Sequence, residues 1–285
     1  MQFGPEQISD LPFFNRVMFP LLHKAAAGVA PMASESQWYL LLRIFAFQAA
    51  FVAFALVCRQ TVRCSARDTI LGTTLLSLAT LATFCFPWEE TSDALDLMAI
   101  SIGVGVALAR RFWIALAVAI LFAANRESAA YLGVMWFILN ATPRDWHRPL
   151  LAGVAISVIS YGAAMLLRGY VGPTLIMNWN TALSNLVIFA EAAKGFPLNW
   201  LGLLIAVCVL FLFNISLQTT LTQRLLVLSL IFGAAGLLFG LVNEIRVFLA
   251  SFVMLAYAVA ASGTIVPDRQ SAPAAPIDQR VRPGR

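Results

Sequence analysis

The sequence predicts an all-α, polytopic transmembrane helical bundle of about seven full spans plus one short helical hairpin, at roughly 20 residues per crossing. Three observations carry that expectation. Of the 285 residues, 60% are hydrophobic and only 12% charged, and mean hydropathy is +0.82. An ordinary soluble domain carries roughly 25% charge, so this chain has too few charged groups to cover a water-exposed globule. The apolar residues come in continuous runs rich in Leu, Ala and Phe, not in the two-residue alternation of a membrane β-barrel. The basic residues behind the pI of about 9.3 sit in short loops between those runs. Membrane topology explains that placement better than a nucleic-acid surface does.

Taken in order, residues 1–37 contain no run long enough to span and read as an external interfacial segment. No basic stretch followed by an apolar core marks a signal peptide there. Apolar runs of spanning character follow at Trp38–Val57, Ile70–Phe86 and Leu95–Ala109. The next stretch, Phe112–Ala141, is apolar except for Asn125-Arg126-Glu127 at its middle. Each half is too short for a full crossing at 1.5 Å per residue, so a hairpin of two short helices is expected, turning at that polar triplet. Further runs lie at Leu150–Leu167, Leu198–Leu217, Leu225–Val242 and Val247–Ser262, which closes a transmembrane domain spanning 38–262. The remainder, 263–285, is rich in Pro, Ala and Arg without apolar period. It is expected to be a disordered cytoplasmic tail.

Charge sets the expected orientation. Arg59, Arg63, Arg67, Arg110, Arg111, Arg144, Arg148, Arg224, Arg269, Arg280, Arg282 and Arg285 fall on one side, and they are twelve of the 19 basic residues. Positive loops stay inside, so this side is read as cytoplasmic, with the C-terminus inside. The opposite loops hold Glu89, Glu90, Asp93 and Asp96, with Arg168 and Lys194 as scattered positives.

Motifs of soluble enzymes are missing: the sequence has no phosphate-binding glycine loop, no dinucleotide fingerprint, no HExxH and no GxSxG. Gly103-Val104-Gly105 and the series Gly233, Gly236, Gly240 read as small-residue helix packing. Cys58, Cys64, Cys85 and Cys208 form no CxxC pair, which argues against a zinc site or a disulfide framework. His23 and His147 lie in separate loops and cannot share a metal. No cofactor is implied. The one metal alternative is a divalent cation held by several oxygens of the acidic stretch Glu89 to Asp96, against the plainer reading of a solvated loop with Asp93 at the start of the next helix.

What remains is ionisable groups at membrane depth, where each needs a partner or a task. Arg43 sits inside the outer end of the first span; it either snorkels to the interface or clamps the phosphate of an anionic lipid. Arg126 and Glu127 are adjacent and diverge by roughly 100° on a helix, so each needs another partner: an ion network fixing the hairpin turn, or an active cavity. Glu244 and Arg246 sit at an outer turn, as interfacial caps or as acceptor-binding groups. Pro12-Phe13-Phe14-Asn15-Arg16-Val17-Met18-Phe19-Pro20, with Asp10 before it, is an apolar, proline-bounded stretch with one arginine. It suits the membrane interface.

Three of these stretches together resemble bacterial polytopic glycosyltransferases of the GT-C type, the relatives of polyprenyl-phosphate-dependent mannosyltransferases. The PFxxRxxxP stretch is similar to the end of their first external loop. Asn125-Arg126-Glu127-Ser128 resembles their "RE(S/T)" turn, which follows a short helix begun by paired arginines. Asn243-Glu244-Ile245-Arg246-Val247-Phe248 resembles an "ExRxF" element near their last helices. The resemblance implies transfer of a sugar from a polyprenyl-phosphate donor on the external face, with membrane lipid as the other partner. It implies a carboxylate base in the first external loop, for which Asp10 and Glu6 are the candidates, and substrate contacts from Arg16, Arg43, Arg126, Glu127, Glu244 and Arg246. It also implies that the first helix of the family's plan is missing from this chain. Two competing expectations stand beside it: a non-catalytic membrane protein (a truncated or degenerate paralogue, or an assembly partner), and a transporter of small solutes or lipids.

Overall fold

In the computed structural model, the described residues are 24–25, 28, 35–83, 92–125, 127–167, 179–239 and 248–263. They are helical, with no strand among them. We number the helices α1 (Glu35–Leu56), α2 (Ala66–Thr83), α3 (Ser92–Leu108), α4 (Phe112–Ala123), α5 (Tyr131–Asn140), α6 (His147–Leu167), α7 (Trp179–Lys194), α8 (Trp200–Phe213), α9 (Thr220–Phe239) and α10 (Leu249–Ser262). A π-helical turn, Val57–Val62, extends α1, and a 3-10 turn, Glu127–Ala130, leads into α5. By length and composition, three helical stretches suffice to cross a membrane: Leu40–Val62, His147–Leu166 and Thr220–Leu238. Phe112–Ala123, Ser128–Asn140, Trp200–Phe213 and Leu249–Ser262 are apolar but shorter.

The expected hairpin of two short helices is present as α4 and α5. Two expectations need correction. Residues 168–197 do not simply link two spans, because α7 lies within them. Arg224 is not a loop residue: it sits in the second turn of α9 and donates to the carbonyls of Leu139 and Ala141, both at 2.5 Å. Those carbonyls end α5 and have no partner within that helix, so the guanidinium fork caps it.

The core is built around α10. Every residue from Leu249 to Ala261 except Ser251 is buried, and the helix packs against α2, α3, α8 and α9. A helix that is apolar all round belongs in the interior. Phe54 lies 4.3 Å from Tyr257 between ring centroids, Phe211 stacks on Phe252, and the Tyr257 hydroxyl donates to the Ser101 carbonyl at 3.2 Å.

Lipid is as apolar as leucine, so helix association within it rests on close contact and interhelical hydrogen bonds. Both occur. A side chain at Gly133 would strike the Gly153 carbonyl and Ser157, and one at Gly153 would strike the Gly133 carbonyl, so α5 and α6 cross backbone to backbone. Gly72 meets the Ala256 carbonyl in the same way, Gly103 faces Leu132 and Met135, and Gly105 faces Val57. Ser229 and Ser251 join α9 to α10, with each hydroxyl donating to the other's carbonyl at 3.1 and 2.9 Å. The expected packing role of Gly103 and Gly105 is met.

Cross-links show which helix ends lie together. Gly105 meets Val57, Gly263 meets Asp68, Asn140 donates to the Ala107 carbonyl at 3.0 Å, and Ser262 donates to the Asn214 carbonyl at 3.2 Å. One end of the bundle therefore gathers Arg59, Arg63, Arg67, Arg110, Arg111, Arg144, Arg148 and Arg224. The other end holds the N-terminus of α3, with Asp93 and Asp96, and the turn between α4 and α5.

Candidate functional site

At that second end, helix start and helix turn meet over a carboxylate. Asp93 lies in the first turn of α3, as expected, and Asp96 one turn further in. A carboxylate is favoured at Asp93, because the first amides of a helix point outward without partners of their own. Both carboxylates are buried, at 5% and 8% relative exposure. For these two residues that corrects the expectation of a solvated acidic loop.

Burial of a carboxylate is tolerated only with hydrogen-bond donors around it. For Asp96 they come from the α4–α5 turn. The Asn125 side-chain amide donates to one carboxylate oxygen at 2.8 Å, and the Ser128 hydroxyl donates to the other at 3.0 Å. The two donors stand on either side of positions 126 and 127 in the chain, so one carboxylate ties Asn125 to Ser128. On the far side, the Ser157 hydroxyl of α6 donates to the Ala130 carbonyl at 2.8 Å. The turn is thus held from α3 and from α6.

Beneath the clasp lies a small apolar cluster of Leu95, Ala99, Phe122, Ala123, Ala129 and Ala164, against which Ala46 of α1 packs. Arg43 is three residues before Ala46, on the same helical face, and is half-buried. The fold therefore carries Arg43 to the end of the bundle where Asp96, Asn125 and Ser128 lie. Of the other residues singled out in sequence, Glu6, Asp10, Arg16, Arg126, Glu244 and Arg246 lie outside the described residues, as do Glu89 and Glu90. Glu127 opens the 3-10 turn, and only its backbone is described. Among the described residues, no three His, Cys, Asp or Glu side chains converge as metal ligands.

Asp96, Asn125 and Ser128 each stand out in the sequence as polar groups in apolar surroundings, and their spacing about Arg110-Arg111 is what joins them. Two antiparallel helices that turn at Arg110-Arg111 place residues equally far from the turn at equal depth. Asp96 and Asn125 are such a pair.

Comparison with protein-family models, with curated proteins and with solved structures returns no match for this chain.

Proposed function

We propose that this chain is a GT-C-like glycosyltransferase of the bacterial inner membrane, crossing it about seven times by the apolar-run criterion, with its C-terminus in the cytoplasm. It transfers a sugar from a polyprenyl-phosphate donor at the external face, which is the end bearing Asp93 and Asp96. The observation that supports this reading most is the Asp96 clasp. A buried carboxylate fixes Asn125 and Ser128, the residues that bracket the dipeptide most similar to the family's turn.

In this reading a carboxylate near the interfacial segment, Asp10 or Glu6, takes the proton of the acceptor hydroxyl. The acceptor oxygen bonds to the anomeric carbon while the bond from that carbon to the lipid phosphate breaks. The electron pair leaves on the phosphate oxygen, and Arg16, Arg43 and Arg126 neutralise it, since guanidinium matches phosphate geometry. Glu127, Glu244 and Arg246 contact sugar or acceptor. Asp96 is a positioning residue that acts through the turn.

The test is transfer from polyprenyl-phosphate sugars by purified protein. A general base contributes about 10²–10⁴-fold in rate, so Asp10→Asn is expected to lower kcat at least a hundredfold with KM little changed. Glu6→Gln is the parallel variant. Asp96→Asn is expected to raise KM for the donor more than it lowers kcat. Wild-type turnover undiminished in both Asp10→Asn and Glu6→Gln would remove both from the role of base. No transfer by the wild-type chain across a panel of donors would overturn the enzymatic reading.

A further inference from the structure

The opposite, arginine-rich end contains a cleft of about 270 Å³, formed where α3 ends, α4 begins, α5 ends and α6 begins. Its lining includes Arg110, Arg148, Asp145, Phe112, Trp136 and Asn140. From this geometry we infer that the cleft binds the phosphodiester head of an anionic phospholipid, such as phosphatidylglycerol, whose acyl chains run down the α4–α6 face.

Four observations converge on that ligand. The first is charge. Arg110 and Arg148 are exposed at the cleft and make no ion pair among the described residues. Arg111 and Arg144 lie close by in sequence, and only Asp145 opposes them on the lining. The excess positive charge suits a phosphate that carries a negative charge without an accompanying ammonium.

The second is the backbone. Phe112 and Arg148 stand in the first turns of α4 and α6, so two helix N-termini, each with its unsatisfied amides, open on the same cleft. α4 has no side-chain cap at its start. The third is the conformation of Arg110, whose φ of 56° lies in the left-handed region. That position closes α3 and favours glycine; here it carries a long cation turned to the cleft lining.

The fourth observation selects a lipid over a free phosphate. The Trp136 ring meets Phe112 edge-on at 5.9 Å, and Phe112 meets Trp113 edge-on at 5.1 Å. The aromatic series thus leads from the cleft out to Trp113, which is 77% exposed. Ile114 on α4 and Leu151, Val154 and Val158 on α6 are also exposed. A cationic pocket at a helical bundle's interface, beside exposed apolar side chains of the same two helices, fits one molecule with an anionic head and hydrocarbon tails. The site is separate from the Asp96 end and does not depend on the transferase reading.

Native mass spectrometry of the purified full chain tests this directly. Dioctanoyl phosphatidylglycerol, dioctanoyl phosphatidylcholine and inorganic phosphate would each be titrated against wild type, Arg110→Gln, Arg148→Gln, the double variant and Asp145→Asn. Arg67→Gln, at the same end but off the cleft lining, serves as control. Each cleft arginine is expected to be worth about fivefold in phosphatidylglycerol affinity, near the usual contribution of a basic residue beside an anionic membrane. The double variant should lose tenfold or more, Asp145→Asn should bind more tightly, and Arg67→Gln should match wild type. Phosphatidylglycerol retained equally by wild type and by both single variants would overturn the site. Phosphatidylcholine retained as well as phosphatidylglycerol would overturn the anionic assignment. Inorganic phosphate bound with the same arginine dependence and no weaker than phosphatidylglycerol would show an anion site and refute the lipid.

Discussion

Asp96 is the residue on which the α4–α5 turn depends, and the dependence can be measured. Replacing it by alanine leaves the Asn125 amide and the Ser128 hydroxyl facing an apolar cluster without their acceptor. A buried polar group deprived of its partner costs about 1–3 kcal/mol, so Asp96→Ala should lower stability by about 2 kcal/mol or more. Ser128→Ala removes one donor and leaves Asn125 in place, and about 1 kcal/mol is expected. The readout is reversible unfolding of the purified protein in detergent; equal stability of Asp96→Ala and wild type would refute the clasp. The chemistry of these residues was legible in sequence, since an acid, an amide and a hydroxyl stand out in apolar surroundings. Their pairing was not, because it spans 29 positions along the chain and follows only once α3 and α4 are known to run antiparallel from the Arg110-Arg111 turn.

The helices themselves were legible where their apolar runs were continuous, and α7 was missed because its run is broken. Trp179–Lys194 interleaves Asn180, Thr181, Ser184, Asn185 and Glu191 with its apolar residues. The structure shows how it uses them: Asn185 is buried and donates to the Leu237 carbonyl of α9 at 2.6 Å, while Leu183, Leu186 and Val187 are exposed. The α5–α6 contact turns on small residues, and two glycines of α6 test it. Gly153 lies against the Gly133 carbonyl, whereas Gly162 has no atom within 4 Å of where a Cβ would stand. Gly153→Ala must push α5 away from α6 or distort both, and overpacking of this kind typically costs about 1–3 kcal/mol. Gly162→Ala adds no clash and removes backbone freedom from a helix interior, worth up to about 1 kcal/mol in the stabilising direction. Unfolding of the two variants side by side is the measurement, and equal destabilisation by both would mean that the close α5–α6 crossing is not what holds these helices together.

Across the molecule as a whole, the two ends differ in sign, and the contacts make the division structural as well as sequential. Gly105 on Val57, Gly263 on Asp68, Asn140 on Ala107 and Arg224 on Leu139 all tie the arginine-bearing turns to one end. Lys194, paired with Glu191 at 2.6 Å, closes α7 near the start of α8, away from that end. Excess lysine and arginine in short loops holds those loops in the cytoplasm, so the arginine-rich end is expected inside and Lys194 outside. Cysteines placed at Arg148 and at Lys194, both exposed, test this with a membrane-impermeant maleimide. Cys58 and Cys64 are buried and Cys208 half-buried, and the unsubstituted chain supplies the background. Lys194→Cys should label in intact cells, and Arg148→Cys only after the membrane is opened. The result bears on more than topology. A lipid-linked sugar at the external face can reach Asp93 and Asp96 only if their end is the outer one, so labelling of Arg148→Cys from outside would invert the bundle and remove the proposed transfer reaction from the face that requires it.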